Sequence, residues 1–128
     1  MRLLLDTHAF LWWLAGDDAL SGVAKAAIAD EANEILVSAV SAWEMATKHR
    51  IGKLPGLDPI ADDLEAAIAG QGFRELAISL RHGRVAGGLP GPHRDPFDRM
   101  LIAQAMLDGL VLVSNEKPFD AYGVSRLW

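Results

Sequence analysis

Three short apolar runs constrain this chain more than any other feature. Met1 to Leu5, Ile35-Leu36-Val37 and Leu110 to Val113 are too short for helices, and each stops abruptly at polar residues: Asp6-Thr7, Ser38 and Ser114-Asn115-Glu116. Brief apolar runs bounded in this way read as buried strands. The stretches between them carry helical periodicity. Strands alternating with helices point to an α/β fold with a mostly parallel sheet.

Thr7 to Leu14 places Phe10, Leu11, Trp13 and Leu14 at helical spacing and closes at Gly16. A second helix is predicted from about Leu20 to Glu31, with Val23, Ala26, Ala27 and Ile28 as its apolar stripe. A third opens at Ser38 or Ser41 and runs to about Arg50, stopped by Gly52 and Pro55. A fourth spans about Pro59 to Ala69, ending at Gly70. Phe73 to Ile78 reads as a weak strand, followed by a short helix from Ser79 to Val85. Gly87-Gly88-Leu89-Pro90-Gly91-Pro92 is the one clear breaker segment, and too little chain follows it for a second core. It reads as a loop inside one domain. Asp95-Pro96 supplies an N-cap and a first-turn proline for a helix to about Leu107, and Val124 to Trp128 forms a weak last strand.

Composition narrows the chemistry. The 128 residues fit one domain, and the absence of cysteine excludes disulfides, thiol catalysis and Cys-ligated metal. A net charge of −5 argues against a protein that holds nucleic acid mainly by a basic surface. A nuclease is not excluded, because carboxylates gathered around a divalent cation present positive charge to phosphate. Nothing marks export or membrane insertion, since Asp6 cuts the first apolar run far short of the ~20 residues a span needs. The expected location is the cytoplasm.

In open parallel sheets, ligands bind at the carboxyl ends of the strands. Asp6 and Glu116 follow strands there, and Glu44 and Asp98 lie early in helices. The helix after Ser38 starts where a strand ends, so Glu44 belongs near the same edge. Whether Asp98 joins depends on how its helix packs. If it does, four carboxylates from distant parts of the chain meet, and they would not all ionise without a compensating cation. Oxygen ligands without cysteine suit Mg²⁺ or Mn²⁺.

Each acid also has a purely structural reading. Asp6 is a plausible N-cap, Ser41-Ala42-Trp43-Glu44 is a formal capping box, Asp98 favours a helix dipole, and Glu116 fits a solvated loop. Other chemistries find less support. Gly87-Gly88 lacks the setting of a dinucleotide fingerprint, and His8, His49, His82 and His93 are scattered without metal-ligand spacing. Ser38 and Ser41 have no paired His and Asp.

The assembled residues resemble the PIN-domain family, and within it the VapC toxins of bacterial toxin–antitoxin pairs. The resemblance runs through Leu3-Leu4-Leu5-Asp6-Thr7-His8, through Val37-Ser38-Ala39-Val40-Ser41-Ala42-Trp43-Glu44-Met45 with Ile51-Gly52-Lys53-Leu54, and through Ala121-Tyr122-Gly123-Val124 before Leu127-Trp128. Its most specific stretch is His93-Arg94-Asp95-Pro96-Phe97-Asp98-Arg99-Met100-Leu101-Ile102-Ala103-Gln104-Ala105. One position departs: the family usually has Thr-x-Asp where this chain reads Ser114-Asn115-Glu116.

The resemblance implies one PIN-like domain over residues 1–128, with helices flanking a parallel sheet of order 3-2-1-4-5 in three layers. It implies a Mg²⁺- or Mn²⁺-dependent endoribonuclease, a homodimer, that hydrolyses RNA phosphodiesters with metal-activated water and is neutralised by a VapB-type antitoxin. Asp6, Glu44 and Asp98 would hold the ion, Glu116 would complete the acidic cluster, and Thr7 and Ser114 would support them by hydrogen bonds. Lys48, Arg50, Arg94 and Arg99 are candidates to grip phosphate, against the alternative of solvated or structurally paired charge. Phe10, Trp12, Trp13 and Leu14 offer more apolar surface than one helix face can bury, which points to an antitoxin groove between the early helices. The alternatives are a non-catalytic PIN-like binding module and a metal-dependent DNA nuclease or phosphatase built on the same acids.

Overall fold

The computed structural model describes residues 1–54, 60 and 62–128. β1 (Arg2–Leu5) is the centre of a five-stranded sheet. Its Leu3, Leu4 and Leu5 are fully buried, as the apolar run requires. β2 (Glu34–Ser38) lies parallel to β1 on one side and β4 (Val111–Val113) on the other, so that Leu4 is in register with both Leu36 and Leu112. β3 (Arg74–Leu76) adds outside β2, and β5 (Arg126–Leu127) outside β4. All pairings are parallel, in the order β3-β2-β1-β4-β5, as expected.

Side chains alternate across a strand, so the sheet divides the apolar residues into two cores. Leu3, Leu5, Val37 and Val113 pack with Phe10 of α1 (Thr7–Ala15), with Ala24 and Ile28 of α2 (Gly22–Ala29), and with Ile68 of α4 (Leu64–Gly70). Leu4, Leu36 and Leu112 pack on the opposite face with Leu101, Ile102 and Ala105 of α6 (Pro96–Asp108) and with Phe119. α3 (Ala39–Arg50) contributes to both, with Met45 to the first core and Val40 to the second. Burying the Leu, Val, Ile, Phe and Met side chains among these stabilises by roughly 1.5–3 kcal/mol each, which is the main force holding helices on both faces.

The helix boundaries follow local chemistry. Asp6, Ser21, Ser38, Asp63, Ser79 and Asp95 each accept a backbone N–H at a helix start. Gly16 and Gly109 end α1 and α6 in the left-handed region, where a Cβ would be strained. The beginning of the helix expected from Pro59 lies outside the described residues.

Three expectations change. α3 is capped by Ser38, whose Oγ accepts from Val40 N–H at 3.0 Å, and no capping box forms between Ser41 and Glu44. α5 (Leu80–Gly88) continues through Gly87 and Gly88, which close a helix instead of opening a loop. The aromatic surplus of α1 is partly covered by the chain itself: Phe10 is buried, Trp13 packs at a tilt on Phe73 at 6.2 Å and Trp12 on Trp128 at 5.8 Å, while Trp12, Trp13 and Leu14 stay half-buried. Among the described residues, no helix is long and apolar enough to cross a membrane.

Candidate active site

The carboxyl ends of β1 and β4, the first turns of α1 and α6, and the middle of α3 surround a cavity of about 100 Å³. It is lined by Asp6, Thr7, His8, Glu44, Lys48, Asp95, Asp98 and Glu116. All of the acids named from the sequence therefore meet here. A larger hollow of about 530 Å³, bordered by Arg2, Glu34 and Arg74, opens beside the first residues of β1, β2 and β3. Glu34 at its border is paired, accepting from Arg74 at 2.9 Å, and Arg2 and Arg74 balance part of the acidic charge there. The smaller cavity is the one with concentrated acidic chemistry at the ligand-binding end of the sheet.

Asp6 caps α1, its Oδ1 accepting Ala9 N–H at 2.8 Å, and it also lines the cavity, so the cap does not take it out of the acidic cluster. Burial raises the pKa of Asp6, against the hydrogen bonds from Ser114 and Ala9. Ser114 is fully buried, and its Oγ also accepts the Glu116 backbone N–H at 3.0 Å. Glu44, a turn inside α3, is buried with both oxygens engaged: Thr7 Oγ1 donates to Oε1 at 2.5 Å, and Lys48 Nζ donates to Oε2 at 2.5 Å.

Asp98 is pushed up to about 6, first by burial and further by the negative charges of Asp95 and Glu44, against a hydrogen bond from His93. Glu116 is exposed on the turn after β4 and lines the solvent side of the cavity. Desolvated carboxylates crowded in this way favour protonation unless a cation joins them.

The basic candidates separate. Lys48 lines the cavity, while Arg50 and Arg94 are exposed. Arg99, expected among the phosphate-gripping residues, instead donates to the carbonyls of Ala86, Gly87, Leu89 and His93. Its fork closes the end of α5 onto the loop before α6, which leaves it committed to backbone.

The sequence reading gave Asp95 only a capping role and gave His8 and His93 no role at the site. His8 follows Asp6-Thr7 directly and reaches the cavity from the first turn of α1. Asp95 caps α6, with Oδ1 accepting Phe97 and Asp98 N–H groups, and stands one turn before Asp98. The i, i+3 spacing of Asp95 and Asp98 was the available signal.

The donor set is oxygen-rich, buried at Asp6 and Glu44, and free of sulfur, which fits a hard divalent cation in kind. Among the described residues, no three acidic or histidine side chains close on one point at ligand distance. The acids ring a small hollow into which an ion and its waters would have to draw them.

The PIN domain profile matches residues 3–124, nearly the whole chain. The chain belongs to the PIN-domain family. It is 30% identical over 116 residues to Ribonuclease VapC22 of Mycobacterium tuberculosis, an alignment covering 90% of this chain and 87% of that one. The PIN fold recurs in two solved structures of low sequence identity. VapBC2 from Rickettsia felis, bound to a DNA fragment from its promoter, superposes with a TM-score of 0.69 at 14% identity, covering 98% of this chain and 97% of that chain. VapC20 of Mycobacterium tuberculosis, a toxin that cleaves the sarcin–ricin loop, gives 0.67 at 19% identity, covering 95% of each.

Proposed function

We propose that this PIN domain is a VapC-type endoribonuclease dependent on Mg²⁺ or Mn²⁺. The observation that carries the reading is the meeting of Asp6, Glu44, Asp98 and Glu116 around one cavity at the carboxyl edge of the sheet. VapC22, a ribonuclease by name, supports RNA as the substrate. The solved complex of VapBC2 supports an antitoxin partner. Residues 1–128 act as a single domain in the cytoplasm, as a homodimer.

Asp6, Glu44 and Asp98 would hold the cation, with Glu116 beside them. When bound, the ion supplies positive charge to the carboxylates and to phosphate, and it makes water a stronger nucleophile. Thr7 holds one Glu44 oxygen and Ser114 holds Asp6, so these carboxylates keep their orientation with little reorganisation. Glu116, on the solvent side, would orient water or accept its proton through a longer reach; its exposure at the cavity rim supports this role. Lys48 neutralises part of the acidic charge on the wall and offers a cation to an approaching phosphate. Exposed Arg50 and Arg94 supply further charge outside the cavity.

The test incubates the purified chain, freed of any partner, with an RNA, a DNA of matching sequence and a phosphomonoester, each in Mg²⁺ and in EDTA. Cleavage of RNA alone, abolished by EDTA, is expected. Cleavage of DNA or the monoester in preference to RNA would favour the nuclease or phosphatase alternative. No turnover of any substrate in Mg²⁺ would favour a binding module.

A further inference from the structure

We infer that His93 is a positioning residue for Asp98, its imidazole fixing which carboxylate oxygen is presented to a bound cation. The inference rests on the proposed role of Asp98 as a cation ligand. His93 Nε2 lies 2.8 Å from Asp98 Oδ2, the length of a charge-assisted hydrogen bond. An ionised carboxylate only accepts, so the ring N–H donates. With Oδ2 committed to the ring, Oδ1 is the oxygen left for an ion.

The ring is itself held from several directions. Its backbone N–H donates to Tyr122 Oη at 3.2 Å, and its carbonyl accepts from Arg99 Nη1 at 2.8 Å. The imidazole meets the ring of Phe119 edge-on at 5.6 Å and that of Tyr122 at 6.4 Å. Gly91, at φ 98°, makes room for the same tyrosine: a Cβ there would stand 2.9 Å from Tyr122 Oη. The loop before α6 is thus built to deliver an N–H to Asp98 at a fixed place. A histidine that merely filled space beside Phe119 would need its ring and not its N–H, and this difference gives the experiment.

Mn²⁺ affinity of the RNA-free full chain is measured by calorimetry for wild type, His93→Phe, His93→Ala and His93→Gln, with the thermal midpoint of each recorded in EDTA. Phe keeps an aromatic ring and removes the donor, whereas Gln restores a donor at a similar reach. Both donor-less variants are expected to bind Mn²⁺ about 10- to 100-fold more weakly, the usual cost of losing a partner of a metal ligand. Gln should recover most of that loss. Wild-type Mn²⁺ affinity in either folded donor-less variant overturns the inference, as does a Gln variant no better than Phe or Ala.

Asp98→Asn in the same titration separates this inference from the reading beneath it. If Asp98→Asn loses Mn²⁺ while folded His93→Phe keeps it, only the role of His93 falls. If Asp98→Asn binds Mn²⁺ as wild type does, the assignment of Asp98 falls and takes the inference with it.

Discussion

Thr7 Oγ1 donates to Glu44 Oε1 across 2.5 Å, although 37 positions separate the two residues in the chain. This bond ties the first turn of α1 to α3 and holds a buried carboxylate at the cavity wall. Thr7→Val removes the donor and leaves the Glu44 oxygen buried without it. An unsatisfied buried acceptor costs roughly 1–3 kcal/mol, more for a charged one. Urea unfolding should therefore show Thr7→Val less stable by at least about 1 kcal/mol, with Thr7→Ser near wild type. A Val variant as stable as wild type would mean that Glu44 finds another donor without cost.

The raised pKa of Asp98 gives stability a definite dependence on pH. Its folded value, about 6, stands above the ordinary 3.8, so between these values the folded state binds more protons than the unfolded chain. Stability from this group is present below pH ~4 and falls as pH rises towards and through 6. At roughly 1.4 kcal/mol per pKa unit, the loss approaches about 3 kcal/mol. Asp98→Asn removes this penalty. In EDTA, the variant should match wild type near pH 4 and exceed it by up to this amount near pH 8. A stability difference that does not vary with pH would contradict the assignment.

Arg99 separates structural charge from RNA-binding charge. Its guanidinium serves the carbonyls of Ala86, Gly87, Leu89 and His93, so Arg99→Met should cost about 2–3 kcal/mol and expose the amides of the loop before α6 to hydrogen exchange. The salt dependence of RNA binding should stay unchanged, whereas Lys48→Met should reduce its slope. A reduced slope for a folded Arg99→Met would return Arg99 to the phosphate contacts.

Glu116 should matter less than Asp98. It is exposed on a turn after β4, while Asp98 is largely buried at the cavity. Glu116→Gln is expected to lower the RNA cleavage rate at saturating Mg²⁺ by about 10- to 100-fold, and Glu116→Asp to be tolerated. A Gln variant as inactive as Asp98→Asn would make Glu116 a direct ligand.

The sheet was legible because its strands are short apolar runs closed by polar residues, and a buried parallel strand needs little else. Asp6 and Asp98 were legible from their places beside a strand end and a helix start. Glu44 was ambiguous because Ser41-Ala42-Trp43-Glu44 satisfies a capping box on paper. Only the geometry of Ser38 shows the helix beginning earlier and Glu44 turned into the cavity. Arg99 was ambiguous between phosphate contact and structural pairing, because sequence displays its charge and not the carbonyls that a glycine-ended helix leaves within reach. His93 was passed over for a similar reason: metal-ligand spacings flag histidines that touch an ion, not one that steadies a carboxylate five residues away. These contacts depend on how α5, α6 and the intervening loop fold back on one another, which no local pattern encodes.

The central claim is that the carboxylates around this cavity carry out RNA hydrolysis. Single-turnover cleavage of one end-labelled RNA by wild type and Asp98→Asn, at saturating Mg²⁺ and with folding verified, tests it most directly. The account predicts a loss of at least about 100-fold, the scale seen when a group stabilising transition-state charge is removed. A folded Asp98→Asn protein that cleaves within about threefold of wild type, a barrier change of under about 1 kcal/mol, would contradict it.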